Sequence, residues 1–325
     1  MSTRTTIALA VIAAVLAVIA LATRRAERSQ ESLATGPIFP GARWTEAASI
    51  QLAAGDDTVR LYKQAGQWLV ATEGDHPADT AAVRGLLEKL ELFDRRHLVS
   101  NNPATQATFQ VDDASGTEVL LRDARSEPLA HFRLGKNGPD FRSQYVRPTG
   151  SAEVFLIPDY LRGSFDAARA TWRDRTIFAF DPQRALRLMI QPEEAAPIDI
   201  HRTPAGDFVI AAADSVPAKK SLVESTIRAL STLRADAFPA AAISFEEAGL
   251  APPLQQVRVD LEDGGARTLL IGRETEGDRI FVAAAGRETV FLLSKGRLGT
   301  LVRDLATLRE ESPAAAPPAA PSAGR

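Results

Sequence analysis

The residues of this chain that could carry chemistry stand singly or in adjacent pairs. The histidines share no spacing typical of a metal site: His76, His97, His131 and His201. The acidic residues form four adjacent pairs: Asp56 and Asp57, Asp112 and Asp113, Glu193 and Glu194, and Glu246 and Glu247. General acid–base catalysis needs both carboxylates in one cleft, whereas neighbours in sequence point apart on a strand or a helix. Solvated turns therefore explain the pairs better.

Two glycine-containing stretches, Gly135–Gly138 and Gly272–Glu274, come nearest to a phosphate-binding loop. They lack the spacing of a P-loop and the strand-to-helix context that such a loop needs. Hairpin turns, in which glycine supplies a positive φ, explain them better. The sequence also lacks the Gly-x-Ser-x-Gly and Ser-x-x-Lys motifs of covalent catalysis. We therefore predict no catalytic, cofactor-binding or metal-binding residue, and a protein that is not an enzyme.

One short cluster combines the residue types that dominate protein interfaces: Trp172, Arg173, Asp174 and Arg175. The indole ring and the two guanidinium groups could anchor a partner protein. Alternatively, the ring fills a boundary between two halves of the chain, and Asp174 pairs with an arginine. We predict this cluster as a candidate interface or inter-repeat clamp, and we favour the clamp.

Composition limits the kind of molecule that this chain can be. Its 325 residues exceed a typical single domain, and 45% of them are hydrophobic, which is enough for a core. Lys and Arg number 38 against 41 acidic residues, a net charge of −3, so no global field favours nucleic acid. There is no cysteine, which excludes disulfides, thiolate zinc sites and iron–sulfur clusters.

The elements that must position the cluster occur twice in the sequence. The stretch GSAEVFLIP from Gly150 is repeated as GRETVFLLS from Gly286, and PADTAAVRGLLEKLELF from Pro77 is matched by PAKKSLVESTIRALSTL from Pro217. The second pair predicts an amphipathic helix in each half, with prolines in its first turn. The predicted core faces are Val83, Leu87, Leu90 and Phe93, and Val223, Ile227, Leu230 and Leu233.

Alternating apolar residues predict matching strands around both helices. The first strand carries Ile50 and Leu52 in one half and Leu186 and Leu188 in the other. The predicted second strands carry Val59 and Leu61, and Ile198 and Ile200. A second helix is predicted to close each half, with Leu161, Phe165 and Ala168 matching Leu298, Val302 and Leu305.

The fold class predicted from these matches is α+β, as a tandem duplication of an antiparallel sheet with helices. We assign residues 49–172 to the first repeat, 173–184 to a junction and 185–311 to the second repeat. Residues 312–325 form a Pro/Ala-rich stretch that we predict to be a disordered tail.

The N-terminus predicts a membrane anchor. Thr5 to Thr23 is an uncharged apolar run flanked by arginines, and its length suits a transmembrane helix. A signal peptide cleaved after Ala22 is the alternative, but arginines directly after that site disfavour processing. We assign residues 1–25 to an uncleaved anchor and 26–48 to a linker. The arginines that follow the run, read alone, would keep the rest of the chain in the cytoplasm.

Three stretches resemble a bacterial family known as domain of unknown function 4340: NPATQATFQVDD from Asn102, GKNGPDFRSQYVRPTGSAEVFLI from Gly135, and TWRDRTIFAFDPQ from Thr171. The resemblance implies a single anchor followed by two related α+β units outside the cytoplasmic membrane. It also implies an auxiliary role beside ABC transporters of the gliding-motility type. The family's Gly-Leu-x-Pro-Pro pattern is present within Phe245–Val257, whereas Phe109–Asp113 in the first half has no prolines.

The function expected from these observations is that of a membrane-anchored, non-enzymatic accessory protein of the bacterial inner membrane. It would dock onto an ABC transporter permease or an envelope complex, with most of the chain in the periplasm and without binding nucleic acid. The alternative is an envelope ligand-binding or hydrolytic module that uses a cleft between the two repeats.

Overall fold

A computed structural model describes residues 36–71, 75–159, 161–211 and 215–310. The predicted anchor at Thr5–Thr23 and the predicted tail at 312–325 lie outside these residues. No helix within the described ranges has the length and apolarity needed to span a membrane. Contacts divide the chain into two units, Met1–Asp174 and Arg175–Arg325.

Within its described residues, the first unit is built on a nine-stranded antiparallel sheet. The strands are β1 (Ala47–Ala54), β2 (Asp57–Gln64), β3 (Gln67–Val70), β4 (His76–Pro77), β5 (Leu98–Ser100), β6 (Thr117–Asp123), β7 (Pro128–Asn137), β8 (Gln144–Pro148) and β9 (Val154–Ile157). Their order across the sheet is β4-β3-β2-β1-β6-β7-β8-β9-β5.

The second unit has an eight-stranded antiparallel sheet in the part that the structure describes. Its strands are β10 (Ala185–Gln191), β11 (Ile198–Arg202), β12 (Phe208–Ile210), β13 (Val216–Pro217), β14 (Gln255–Leu261), β15 (Ala266–Glu274), β16 (Arg279–Ala284) and β17 (Phe291–Ser294). The order is β13-β12-β11-β10-β14-β15-β16-β17, which repeats that of the first unit without an equivalent of β5.

The repeated stretches occupy equivalent places in the two sheets. Phe155 on β9 pairs with Val146 on β8, and Phe291 on β17 pairs with Val282 on β16. The prediction of two related antiparallel units is therefore confirmed. The part of the chain that the structure describes is nevertheless mostly β, with fewer helical residues than predicted for the two repeats.

The helices are short apart from one in each half of the described chain. They are α1 (Thr80–Leu90), α2 (Gln106–Phe109), α3 (Arg169–Trp172), α4 (Lys220–Ser231), α5 (Lys295–Leu301) and α6 (Leu305–Leu308). The predicted core faces of α1 and α4 are confirmed with one change. Leu86 is fully buried in the first unit, and Leu87 packs only at the border of the core.

The predicted closing helices are broken into pieces. In the first unit a 3-10 turn at Arg162–Ser164 is followed by α3, and in the second unit α5 is followed by α6. Leu161, Phe165 and Leu298 are buried as predicted, whereas Ala168 and Leu305 are exposed. Helices of four residues are too short to hold one apolar face along their length.

Pro77 and Pro217 do not lie in the first helical turns, which corrects that prediction. Each ends a two-residue edge strand, and α1 begins only at Thr80 after Asp79 caps it. The Asp79 carboxylate accepts from the amides of Ala81 and Ala82 at 3.1 and 3.2 Å. An edge strand tolerates proline because its missing N–H faces away from the ladder.

The prediction that Leu186 faces the core is also wrong. Its side chain is 44% exposed, and Leu188 and Ile190 are the buried residues of β10. Leu188 pairs with Ile200 and Val259, as Ile50 pairs with Leu61 and Leu121 in the first unit. A register shift between Ala185 and Arg187 changes the alternation at the start of β10, and a shift of one residue exchanges the two faces of a strand.

Gly135 and Gly272 are not turn residues, which corrects the hairpin interpretation of both stretches. Gly135 lies inside β7 and Gly272 inside β15, and neither has a positive φ. A Cβ on Gly135 would lie 2.2 Å from the Phe109 carbonyl oxygen, and one on Gly272 would lie 2.0 Å from that of Ala248. Glycine is needed here because a neighbouring backbone segment crosses the strand at close range.

Candidate docking surface

The structure places Trp172 inside the core of the first unit. Its side chain is 1% exposed and packs in the same cluster as the buried face of α1. The indole Nε1 donates to the Asp166 carbonyl oxygen at 2.6 Å, and the Trp172 carbonyl accepts from the Asp79 amide at 2.8 Å. This ring is thus the last large side chain of its own unit rather than a surface residue.

The other three residues of the predicted cluster are partly buried, and the backbone of Asp174 and of Arg175 forms hydrogen bonds. Burial lowers the pKa of the Arg173 guanidinium from its ordinary value. The Asp174 amide donates to the Pro77 carbonyl at 2.8 Å. Arg175 belongs to the second unit, where its carbonyl accepts from Ala235 at 2.7 Å and its Nη1 donates to the Asp236 carbonyl at 3.4 Å.

The same closing pattern recurs in the second unit. Leu308 accepts from the Lys219 amide as Trp172 accepts from Asp79, and Glu310 donates to Pro217 as Asp174 donates to Pro77. Leu308 is fully buried. Trp172 and Asp174 of the predicted cluster therefore form the end of the first unit, where their backbone pairs with the residues just before α1.

The histidines and adjacent acids lie on separate elements. His131 Nε2 lies 2.7 Å from Glu118 Oε1, and His201 Nε2 lies 3.1 Å from Asp199. Asp112 accepts from the Ala114 amide, whereas Asp113 accepts from Arg147 at 2.9 Å, so this adjacent pair points two ways. No group of three metal-ligating side chains occurs among the residues that the structure describes.

The most exposed of the large hydrophobic side chains that the structure describes belongs to Phe141. It lies 78% exposed in the loop between β7 and β8. We call residues 138–143 the Phe141 loop. Phe141 has φ +57°, a left-handed conformation that is rare for bulky residues and costs about 1 kcal/mol or more. Such a conformation persists only where the surrounding loop imposes it.

The Phe141 loop is held from within. The Gly138 amide donates to the Ser143 carbonyl at 2.8 Å, and the Phe141 amide donates to the Gly138 carbonyl at 3.1 Å. The Asp140 carboxylate accepts from the Ser143 amide at 2.9 Å and from the Ser143 hydroxyl at 2.5 Å. The hydroxyl bond, with the backbone amides, lowers the pKa of Asp140, so the carboxylate stays ionised at neutral pH. The loop therefore presents the ring in one backbone conformation.

The end of the sheet next to the Phe141 loop carries further exposed apolar residues. A Cβ on Gly138 would lie 2.9 Å from Leu156 Cδ1, which places the base of the loop against β9. The neighbour of β9 is the edge strand β5, where Leu98 pairs with Phe155. Leu98 and Val99 are both exposed. Phe141, Leu98 and Val99 thus belong to the β8-β9-β5 end of the first sheet.

Phe141 is not among the site residues predicted from the sequence, although it lies in the stretch from Gly135 that resembles the family. The available signal was a phenylalanine inside Gly-Pro-Asp-Phe-Arg-Ser, a turn composition in which an aromatic residue has no core to enter. The corresponding connection in the second unit, residues 275–278, has no aromatic residue. The exposed ring is therefore particular to the first unit.

A family model described as domain of unknown function (DUF4340) matches residues 68–208 and, a second time, residues 209–320. No curated protein and no solved structure matches the chain.

Proposed function

The chain belongs to the DUF4340 family, and from that premise we propose that it is a membrane-anchored, non-enzymatic accessory protein. In this proposal it docks onto an ABC-type transporter or another envelope assembly, and the Phe141 loop makes the central contact. The family description names no activity, so the argument rests on the surfaces of the chain itself.

The observation that carries the proposal is the exposed Phe141 ring on a braced loop. The positive φ of Phe141 opposes folding, and its exposed ring gains none of the free energy that burial would give. Aromatic residues that fill a partner's pocket dominate interface energies, and a preformed loop loses little conformational entropy when it binds. The exposed residues of the edge strand β5, Leu98 and Val99, point to opposite faces of the sheet, so one of them would extend the apolar contact.

Replacing Phe141 with asparagine tests the docking contact. Asparagine tolerates the left-handed backbone, so the change removes the ring and keeps the loop. We expect partner affinity to fall by about 2 kcal/mol or more, roughly 30-fold, as for other interface hot spots. The measurement is affinity purification from detergent-solubilised membranes, with partners quantified by mass spectrometry.

The matched control is Leu186→Ala, which removes an exposed apolar side chain from the second unit. Neither variant should melt below the unchanged protein, because asparagine relieves the left-handed strain at position 141 and Leu186 is exposed, and only Phe141→Asn should lose the partner. Equal recovery of the membrane partner with both variants would show that docking does not use the loop.

The proposal also includes a topology, with the N-terminus in the cytoplasm and residues from Arg24 onward in the periplasm. The apolar run at Thr5–Thr23 supports an anchor, and the family resemblance supports the periplasm. The arginines after the run oppose this orientation, but a positive-inside bias can be overridden when a long domain is translocated.

Alkaline phosphatase fused after Arg325 should therefore be active in cells, because the enzyme folds only outside the cytoplasm. Green fluorescent protein fused at the same site is the reciprocal reporter. An inactive phosphatase together with a fluorescent fusion would place the two units in the cytoplasm.

Ligand binding is the second candidate function. The observation that favours it is an apolar pocket in the second unit, which the docking proposal does not use.

A further inference from the structure

The second unit contains a pocket of about 590 Å³, within the range of small-molecule sites. Its walls are mostly apolar and include Ile198, Ile210, Val302 and Leu305. A second hollow of about 920 Å³, between residues 239–243 and the β15–β16 connection, is more open to solvent. The smaller pocket encloses a ligand better, so it is the stronger candidate.

The pocket opens where the first hairpin of the second unit differs from that of the first unit. In the first unit the β1–β2 ladder continues to Ala54 and Asp57, which flank a tight turn. In the second unit the ladder ends at Ile190 and Ile198, and the loop between them contains Pro192 and Pro197. Proline has no N–H for the ladder, so the two strands separate and the loop forms one wall.

Two arginines lie in the wall of this pocket, Arg303 and Arg309. The Arg303 Nε donates to the buried Thr226 hydroxyl at 3.3 Å, which fixes the guanidinium and leaves its terminal nitrogens for other acceptors. Among the described residues neither arginine takes part in an ion pair. Asp304 also lines the pocket, and its carboxylate accepts from the Thr307 amide at 2.6 Å, so the two arginines are the positive charges that would outweigh it.

From this combination we infer that the pocket binds a single-chain amphiphile with an anionic head, a carboxylate or a phosphate monoester. The apolar walls would cover the hydrocarbon chain, and Arg303 and Arg309 would donate to the head. Arginine suits both heads because its planar donors match two oxygens at once. The same chemistry is available from a free amphiphile and from the head of a membrane lipid.

Photolabelling of the full chain tests the inference. The chain is reconstituted in nanodiscs of zwitterionic lipid, so that no detergent competes, and is labelled with a diazirine-bearing dodecanoate. We expect saturable labelling of peptides that contain residues 192–198 and 302–309. Dodecyl phosphate should compete, whereas dodecyltrimethylammonium should not.

Arg303→Glu and Arg309→Glu should each reduce labelling by about tenfold, because each removes a charge-assisted donor and adds repulsion. The second variant is needed because Arg303 also contacts Thr226. Arg125→Glu, an equal charge change at an exposed turn of the first unit, should leave labelling unchanged.

Nanodiscs that contain lysophosphatidic acid, a single-chain lipid whose head is a phosphate monoester, distinguish the sources. Competition by that lipid identifies a membrane headgroup, and its failure identifies a free amphiphile; both results support an anion site. Labelling that survives both glutamate variants, or that the ammonium compound competes equally well, would overturn the inference. Labelling seen only after deletion of residues 312–325 would mean that the chain's own C-terminal segment occupies the pocket, and this result would also overturn the inference.

Discussion

Replacing Trp172 with alanine is expected to lower the free energy of unfolding of the first unit by about 3–5 kcal/mol, as for other buried aromatic residues. The ring is 1% exposed within the core, so its removal leaves a cavity. It also removes the Nε1 donor to the Asp166 carbonyl. Denaturant unfolding of the purified chain, followed by circular dichroism, measures the loss.

Trp172→Phe is the milder substitution at this position. It keeps one buried aromatic ring but removes the Nε1 donor and leaves a smaller cavity than alanine does, so it should cost about 1–3 kcal/mol. Phe141→Asn is the complementary variant, because it should weaken binding without lowering the free energy of unfolding. If Trp172→Ala left unfolding unchanged and abolished partner recovery, Trp172 would be a partner anchor and the core placement would be refuted.

Replacing Gly272 with alanine should cost about 3 kcal/mol, near the upper end of the range for overpacking. The new Cβ would lie 2.0 Å from the Ala248 carbonyl oxygen, a backbone atom that cannot rotate away. The same carbonyl accepts from the Arg273 amide at 2.8 Å, so moving it also strains that bond. The measurement is again denaturant unfolding, read on the transition of the second unit.

Gly299→Ala provides a control of opposite sign in the same unit. Gly299 lies inside α5, and no atom lies within 4 Å of the place that its Cβ would take. Alanine there should stabilise the unit by about 0.5–1 kcal/mol, because it reduces the backbone entropy lost on folding. Equal effects of the two substitutions would mean that the close approach at Gly272 does not constrain the fold.

The duplicated unit could be predicted from the sequence because its signals are local. The apolar period of α1 and α4 and the alternation in β2 and β11 depend on residues a few positions apart. The structure confirms the repeat, since Phe155 pairs with the strand before it in the first sheet as Phe291 does in the second. Local patterns of this kind predict the elements and their order, but not which distant segments of the chain pack against them.

The features that could not be predicted all depend on distant contacts. Gly135 and Gly272 resemble turn glycines in sequence. In the structure, glycine is needed because the carbonyl oxygens of Phe109 and Ala248 lie where a Cβ would be. Leu186 alternates correctly with Leu188, but the register shift at the start of β10 turns it to solvent.

Trp172 and Phe141 show the same division for the candidate surface. Their residue types alone make Trp172 the better interface candidate, because tryptophan is common at hot spots and Phe141 stands in an ordinary turn. The tertiary structure reverses their order. Hydrogen bonds to the backbone of Asp79 and Asp166 hold Trp172 with its indole ring in the core. Hydrogen bonds of Asp140 and Gly138 hold the Phe141 loop in a conformation that leaves the phenyl ring exposed. Burial is decided by which chain segments come together in space, and a sequence pattern contains that information only when the segments are neighbours in sequence.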